Sequence, residues 1–316
     1  MSLSRIFAIV LRQFYLLRGS PVRLLPMIAW VGIDIVLWGF LSRYLNSITG
    51  PRMNFTAALL GAVLMWDFLT RVMQGVTTAF FEDVWSRNFL NLFATPLTVL
   101  EYLGGLVTTG VLTSLLGLAA MLVLATTVFG LSFFTYGAAL APFVLMLFLS
   151  GITLGVLGTA IVMRFGPASE WLIWPIPSVI SPFVGVFYPL STLPGWMQAV
   201  GKALPPSYVF QSMRAILAGQ DADWGALAFA GGLTVIYFVL AFLVFAWVYR
   251  FAMRTGLIAR YSAETAGAHS ERERRGRHLG HAPKAGGVEP VAEQDGADAE
   301  AGGRSGGHGP SLGRLA

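Results

Sequence analysis

The chain of 316 residues has no cysteine, which excludes disulfide staples, cysteine-ligated metals and thiol nucleophiles. Charge is scarce as well, at 12% against roughly 25% in soluble domains. The shortage lies in the first 260 residues, which hold 22 charged side chains, while residues 261–316 hold 15. Histidine is missing from residues 1–260 altogether, since His269, His278, His281 and His308 all follow them. A body without His or Cys lacks most acid–base and nucleophile arrangements, and only a Ser or Asp mechanism inside a membrane is left to an enzyme. The net charge of +5 does not point to nucleic acid, because the body's excess of Lys and Arg sits beside apolar stretches.

What the chain has in quantity is apolar residues, 55%, with a mean hydropathy of +0.68. A helix needs about 20 mostly apolar residues to cross a bilayer. Six stretches meet or approach that length: Leu24–Leu41, Phe55–Phe81, Leu103–Phe129, Tyr136–Met163, Trp171–Phe187 and Leu227–Val248. The fifth is short and carries Pro175, Pro177 and Pro182, so a kinked or broken helix is expected there. Six crossings put both termini on one side. With the termini inside, the inner side holds Arg5, Arg12, Arg18, Arg23, Arg87, Arg164, Arg250, Arg254 and Arg260, and the outer side Arg43, Arg52, Lys202 and Arg214. That bias predicts cytosolic termini and a multi-pass protein of the cytoplasmic membrane.

Residues 1–20 do not read as a cleavable signal, because Arg12 and Arg18 interrupt the apolar run. They read as an amphipathic interfacial helix, with Arg5 and Arg12 on the wet side and Ile6, Phe7, Val10, Phe14 and Leu17 in lipid. Gly19 and Pro21 end it. Residues 21–255 form the six-span domain. From Tyr261 onward the chain has 12 Gly and six residues from the set Val, Ile, Leu, Met, Phe, Trp and Tyr. That composition predicts a disordered cytosolic tail over 256–316, its histidines solvated rather than metal-bound.

Charges inside spans need a partner or a use. Asp67 and Arg71 stand at i, i+4, the spacing of a helical ion pair. Gln74 follows at i+7, with Thr70 and Thr77 near the same face. The stripe reads either as part of a translocation route or as a neutralised pair that fixes helix rotation. Asp34, between Trp30 and Trp38, has no partner nearby in sequence, and Arg71 is a candidate. Gly151, Gly155 and Gly158 form a small-residue face for close helix packing. The run from Gly195 to Ala203 is no phosphate loop, since five residues separate its glycines and Ala203 stands where Ser or Thr binds Mg²⁺.

Two connecting segments carry more information. Residues 82–105 are too apolar for a solvated loop. Glu82, Asp83, Arg87 and Asn88 accompany Phe89, Leu92 and Phe93, and Thr95-Pro96 breaks the run. A short helix across the membrane face is expected, as a docking surface or as a lipid-bound helix with no partner. The second segment, Tyr188 to Gly219, holds two apolar stretches of about 11 residues, Pro194–Leu204 and Ser207–Leu217, parted by Pro205-Pro206. Neither is long enough to span. They read as a re-entrant hairpin or as a pair lying flat, with Ser207 as N-cap and Gly219 as the stop.

These features together resemble the type-2 export permeases of ABC transporters. The resemblance rests on the interfacial helix, the acidic start at Glu82-Asp83, Ala94-Thr95-Pro96, Leu103-Gly104, the run Pro189-Leu190-Ser191-Thr192-Leu193-Pro194-Gly195-Trp196, and Pro206-Ser207-Tyr208 followed by Met213-Arg214. It covers about residues 1–255. It implies an all-α integral membrane fold with six transmembrane helices, a cytosolic coupling helix and outer re-entrant helices. It further implies pairing with a second permease copy or related chain, and contact with cytosolic ABC ATP-binding subunits that hold ATP–Mg, so that this chain itself has no cofactor, metal or catalytic residue. Glu82, Asp83, Arg87, Asn88, Phe89, Leu92, Phe93, Thr95 and Pro96 would couple to the ATPase. Pro189, Leu193, Pro194, Pro206, Tyr208 and Arg214 would belong to the outer gate. Many relatives have a Gly-Thr pair after the acidic residues, where this chain has Trp85-Ser86-Arg87-Asn88-Phe89. The uncharged, Phe-, Met- and Leu-rich spans suit a hydrophobic or amphipathic small molecule or lipid. The alternatives are a polysaccharide exporter and, in another class, a proton-coupled transporter using Asp34, Asp67 and Arg71.

Overall fold

The computed structural model describes residues 2–19, 24–49, 56–85 and 97–256, and every regular element among them is helical. In chain order α1 is Leu3–Gly19, α2 Leu24–Thr49, α3 Gly61–Trp85, α4 Val99–Phe129, α5 Leu140–Phe165, α6 Ile176–Val184, α7 Gly195–Ala203, α8 Pro205–Leu217 and α9 Trp224–Thr255. A π turn (Thr56–Leu60) leads into α3, and 3-10 turns cover Phe133–Ala139, Pro167–Leu172 and Leu190–Thr192. The stretches Ala58–Asp83, Leu100–Phe129, Phe133–Phe165 and Trp224–Thr255 are long and apolar enough to cross a membrane. The protein is an all-helical membrane protein.

The helix ends follow local chemistry. Thr98 and Glu101 close a capping box at the start of α4, each side chain taking up the other's backbone N–H (3.3 and 3.0 Å). Gly130 ends α4 in the left-handed conformation at φ 65°. Asp223 caps α9 by accepting from the Ala226 N–H at 2.9 Å. The stretch Trp171–Phe187 is broken, as its prolines predict. Only the nine residues of α6 are α-helical, about 14 Å of rise and too little for a crossing by itself. α7 and α8 match the two expected short helices. Ser207, however, is not the N-cap of α8: Pro205 and Pro206 form the first turn, where a missing N–H costs nothing, and the Ser207 hydroxyl donates to the Gly201 carbonyl (2.6 Å).

α3 lies between α4 and α5, α5 also packs on α9, and α4 also packs on α1 and α2. Phe68, Leu69, Val72 and Val76 of α3 have no exposed surface. The glycine face of α5 makes this possible. A Cβ on Gly151 would stand 2.6 Å from the Leu69 carbonyl oxygen, and one on Gly155 2.8 Å from Val76 Cβ. On the other flank of α3, Gly75 meets Gly110 of α4, where an added Cβ would lie 2.9 Å from the facing Cα. The expected small-residue packing face is therefore present, joined by a second that the sequence spacing did not single out. Helices this close gain dispersion contacts that lipid does not supply.

The outer flanks are apolar too. α9 leaves Ile236, Val239, Leu240, Leu243 and Trp247 exposed, and α4 leaves Leu112, Leu115 and Leu116. Such faces are unstable against water and ordinary against hydrocarbon.

Candidate functional site

Two clusters of polar side chains stand out in this apolar setting. The first gathers around the ends of α3 and α4 that flank residues 86–96. Asp83 of α3 has a fully buried side chain, paired with Arg12 of α1 and accepting a hydrogen bond from the Tyr102 hydroxyl of α4 at 2.8 Å. Glu101 of α4, itself 2% exposed, pairs with Arg5 at 3.2 Å and accepts from the Ser2 backbone N–H at 2.6 Å. Gln13 donates to the Ala79 carbonyl of α3 at 3.3 Å. Ile9 drops against Gly105, where any Cβ would sit 2.6 Å from Ile9 Cγ2. α1 is thereby fastened to α3 and α4 at once.

These contacts add to two expectations. Arg5 and Arg12 are not simply the wet face of an interfacial helix, because each reaches an acidic partner across the bundle. Phe7 and Phe14 are exposed as expected, so the helix keeps a lipid-ready face beside its ion-paired one. Asp83 presents no surface to a docking partner; its contacts are internal. Glu82 is half-buried on α3. Arg87, Asn88, Phe89, Leu92, Phe93, Thr95 and Pro96 lie outside the described residues.

The second cluster lies between α2 and α3. Arg71 Nη2 lies 3.5 Å from Asp67 Oδ2, the expected i, i+4 pair. Asp34 of α2 lies in the field of Arg71 and near Asp67, so the lone acid of α2 does find neighbours on α3. The Arg71 stem passes Gly117 of α4, whose added Cβ would touch Cδ at 3.5 Å. Gln74 is half-buried one turn on. Thr70 and Thr77 donate back to Trp66 and Met73 in their own helix (3.1 and 3.0 Å), which satisfies their hydroxyls locally.

At the opposite end of α3, the residues expected at the outer gate form a folded layer. Pro189 precedes the 3-10 turn Leu190–Thr192, Leu193 follows it, and Pro194 is the N-cap of α7. The Leu193 carbonyl accepts from Gln198 Nε2 at 2.8 Å. Pro206 lies in the first turn of α8, and the Tyr208 hydroxyl donates to the Lys202 carbonyl at 2.9 Å. Arg214 Nη1 donates to the Val186 carbonyl at 3.3 Å, while its buried Nη2 has no hydrogen-bond partner among the described residues. Burial lowers the Arg214 pKa. α8 packs against the Thr56–Leu60 and Phe133–Ala139 turns and against α5 and α9, so the layer closes over the ends of four elements.

The capping box and the i, i+4 pair are visible in the sequence. Arg12–Asp83 and Arg5–Glu101 are not, since ion pairs separated by 71 and 96 residues have no spacing signature. No protein-family model matches the chain, and no curated protein matches it.

Proposed function

We propose that the chain is the membrane permease subunit of an ATP-driven ABC exporter, resident in the cytoplasmic membrane with both termini cytosolic. It pairs with a second permease copy and with cytosolic ATP-binding subunits, and moves a hydrophobic or amphipathic small molecule or lipid. In this reading α2, the broken stretch and the four apolar helices make six crossings. Support for the broken stretch comes from its ends. Trp174 packs on Phe81 near the 86–96 end of α3, with centroids 6.4 Å apart, and Phe187 stacks on Trp38 of α2 at 5.3 Å.

The observation that carries the proposal is the fastening of α1 to both helices that flank residues 86–96. Asp83 stands three positions before that segment and Glu101 five after it. A force applied to the segment by a nucleotide-driven partner passes into α1, α3 and α4 as one body, which is how a short lever moves long helices. At the same level, the Arg164 guanidinium of α5 lies 4.2 Å from the Phe251 ring centroid of α9, tying the other half of the bundle.

The test is co-purification with an ATP-binding partner from native membranes. Arg87→Glu, or deletion of Phe89 to Phe93, abolishes recovery of the partner and ATP-dependent transport. Unchanged recovery and transport would overturn the coupling role. The proton-coupled alternative draws on the grouping of Asp34, Asp67 and Arg71. Transport driven by a proton gradient with no nucleotide-hydrolysing partner would select it.

A further inference from the structure

A cavity of about 540 Å³ opens where α4 ends and α5 begins, at the end of the bundle away from residues 86–96. Its wall comes from Leu118 and Leu122 of α4, Leu131 in the connecting turn, Leu140 and Val144 of α5, and Met65 of α3. The chain direction creates it. Gly130 turns left-handed at φ 65°, Gly137 turns again at φ 53°, and α5 starts only after that detour. α4 and α5 lie on opposite flanks of α3, and their ends are left apart.

We propose that this cavity holds one acyl chain of a bilayer phospholipid, entering from the leaflet opposite the Arg12–Asp83 cluster. Size is the first argument. A volume of about 540 Å³ lies within the range of pockets that take one small apolar ligand, roughly 300–1,000 Å³, which suits a single acyl chain. Chemistry is the second. The Thr126 hydroxyl on the wall is spent on the Leu122 and Val123 carbonyls (2.6 and 3.1 Å), and the Ser132 carbonyl accepts from the Thr135 hydroxyl (3.0 Å). The Leu131 N–H is spent on the Ala125 carbonyl (3.1 Å). That leaves the exposed Ser132 hydroxyl as a polar group on a wall that is otherwise almost wholly apolar, which suits an alkyl chain better than a polar ligand. Access is the third. The rim carries Val123, 60% exposed, and Phe134, 92% exposed. Val123 continues the apolar flank of α4 formed by Leu112, Leu115 and Leu116. The mouth thus opens onto the side solvated by hydrocarbon, where acyl chains are the solvent and occupy by mass action.

The experiment uses the full chain, purified and reconstituted in phosphatidylcholine vesicles with a trace of phosphatidylcholine bearing a photoactivatable diazirine near the end of one chain. After illumination, adducts are mapped by peptide mass spectrometry. Adducts concentrate within residues 118–144, at several times the density on the exposed face of α9, and Val144→Phe lowers those in 118–144 several-fold while leaving α9 unchanged. Native mass spectrometry of the wild-type protein in mild detergent gives a readout independent of that variant's folding: one phospholipid stays bound per chain. Adducts spread evenly over α4 and α9, equal labelling in Val144→Phe, cross-links between two copies of the chain at residues 118–144, or no retained phospholipid would each overturn the assignment.

Discussion

Removing Arg12 is the sharpest perturbation the structure offers. Arg12→Met keeps the length and greasiness of the side chain and deletes the charge that faces Asp83. The Asp83 carboxylate then stays fully buried, without the cation and still accepting from the Tyr102 hydroxyl. Breaking a buried pair by deleting one partner costs about 3–5 kcal/mol. The Arg12 side chain is a quarter exposed, which puts the expected loss near the lower end, ~3 kcal/mol, or about two powers of ten in the equilibrium that docks α1. Arg5–Glu101 compensates little, because the Arg5 side chain is 44% exposed and an exposed pair contributes about 1 kcal/mol or less. The chain has no cysteine, so Ile9→Cys introduces a unique thiol at a position only 4% exposed. Maleimide labelling of that thiol in native membranes follows the opening of α1. It should rise toward a hundredfold in Arg12→Met and fall back in Arg12→Met combined with Asp83→Leu, where no buried charge is stranded. Equal labelling with and without Arg12 would refute the reasoning, since α1 would then be held by something other than this pair.

Gly155→Leu forces a side chain into Val76 and the Met73 carbonyl, 2.8 and 3.0 Å from its first carbon, and should lower the Tm in detergent by several degrees; Gly232→Ala, with open space around it, should leave the Tm unchanged. Asp67→Asn with Arg71 intact should cost about 3–5 kcal/mol of stability, read as loss of monodisperse protein on size exclusion. Asp67→Leu combined with Arg71→Met separates structure from transport: wild-type stability with wild-type transport marks the pair as architectural, and wild-type stability with lost transport marks it as functional.

Most of what was legible in the sequence was periodic or local. Gly151, Gly155 and Gly158 repeat at helical spacing, Asp67 and Arg71 sit one turn apart, and three prolines crowd residues 171–187; each feature acts on its own helix, so spacing suffices to read it. Arg12 and Asp83 meet only because α1 folds back under the bundle, which depends on Ile9 fitting the gap at Gly105, a shape complementarity with no one-dimensional trace. The same reason hid the pairing of Gly75 with Gly110, which become a contact only when α3 and α4 are in register. Asp34 is the intermediate case. Its cost in an apolar helix demanded a partner, and Arg71 is the cation whose field reaches it. The type of partner follows from that cost, whereas the presence of Asp67 beside both depends on how α2 docks on α3, which no spacing within either helix records.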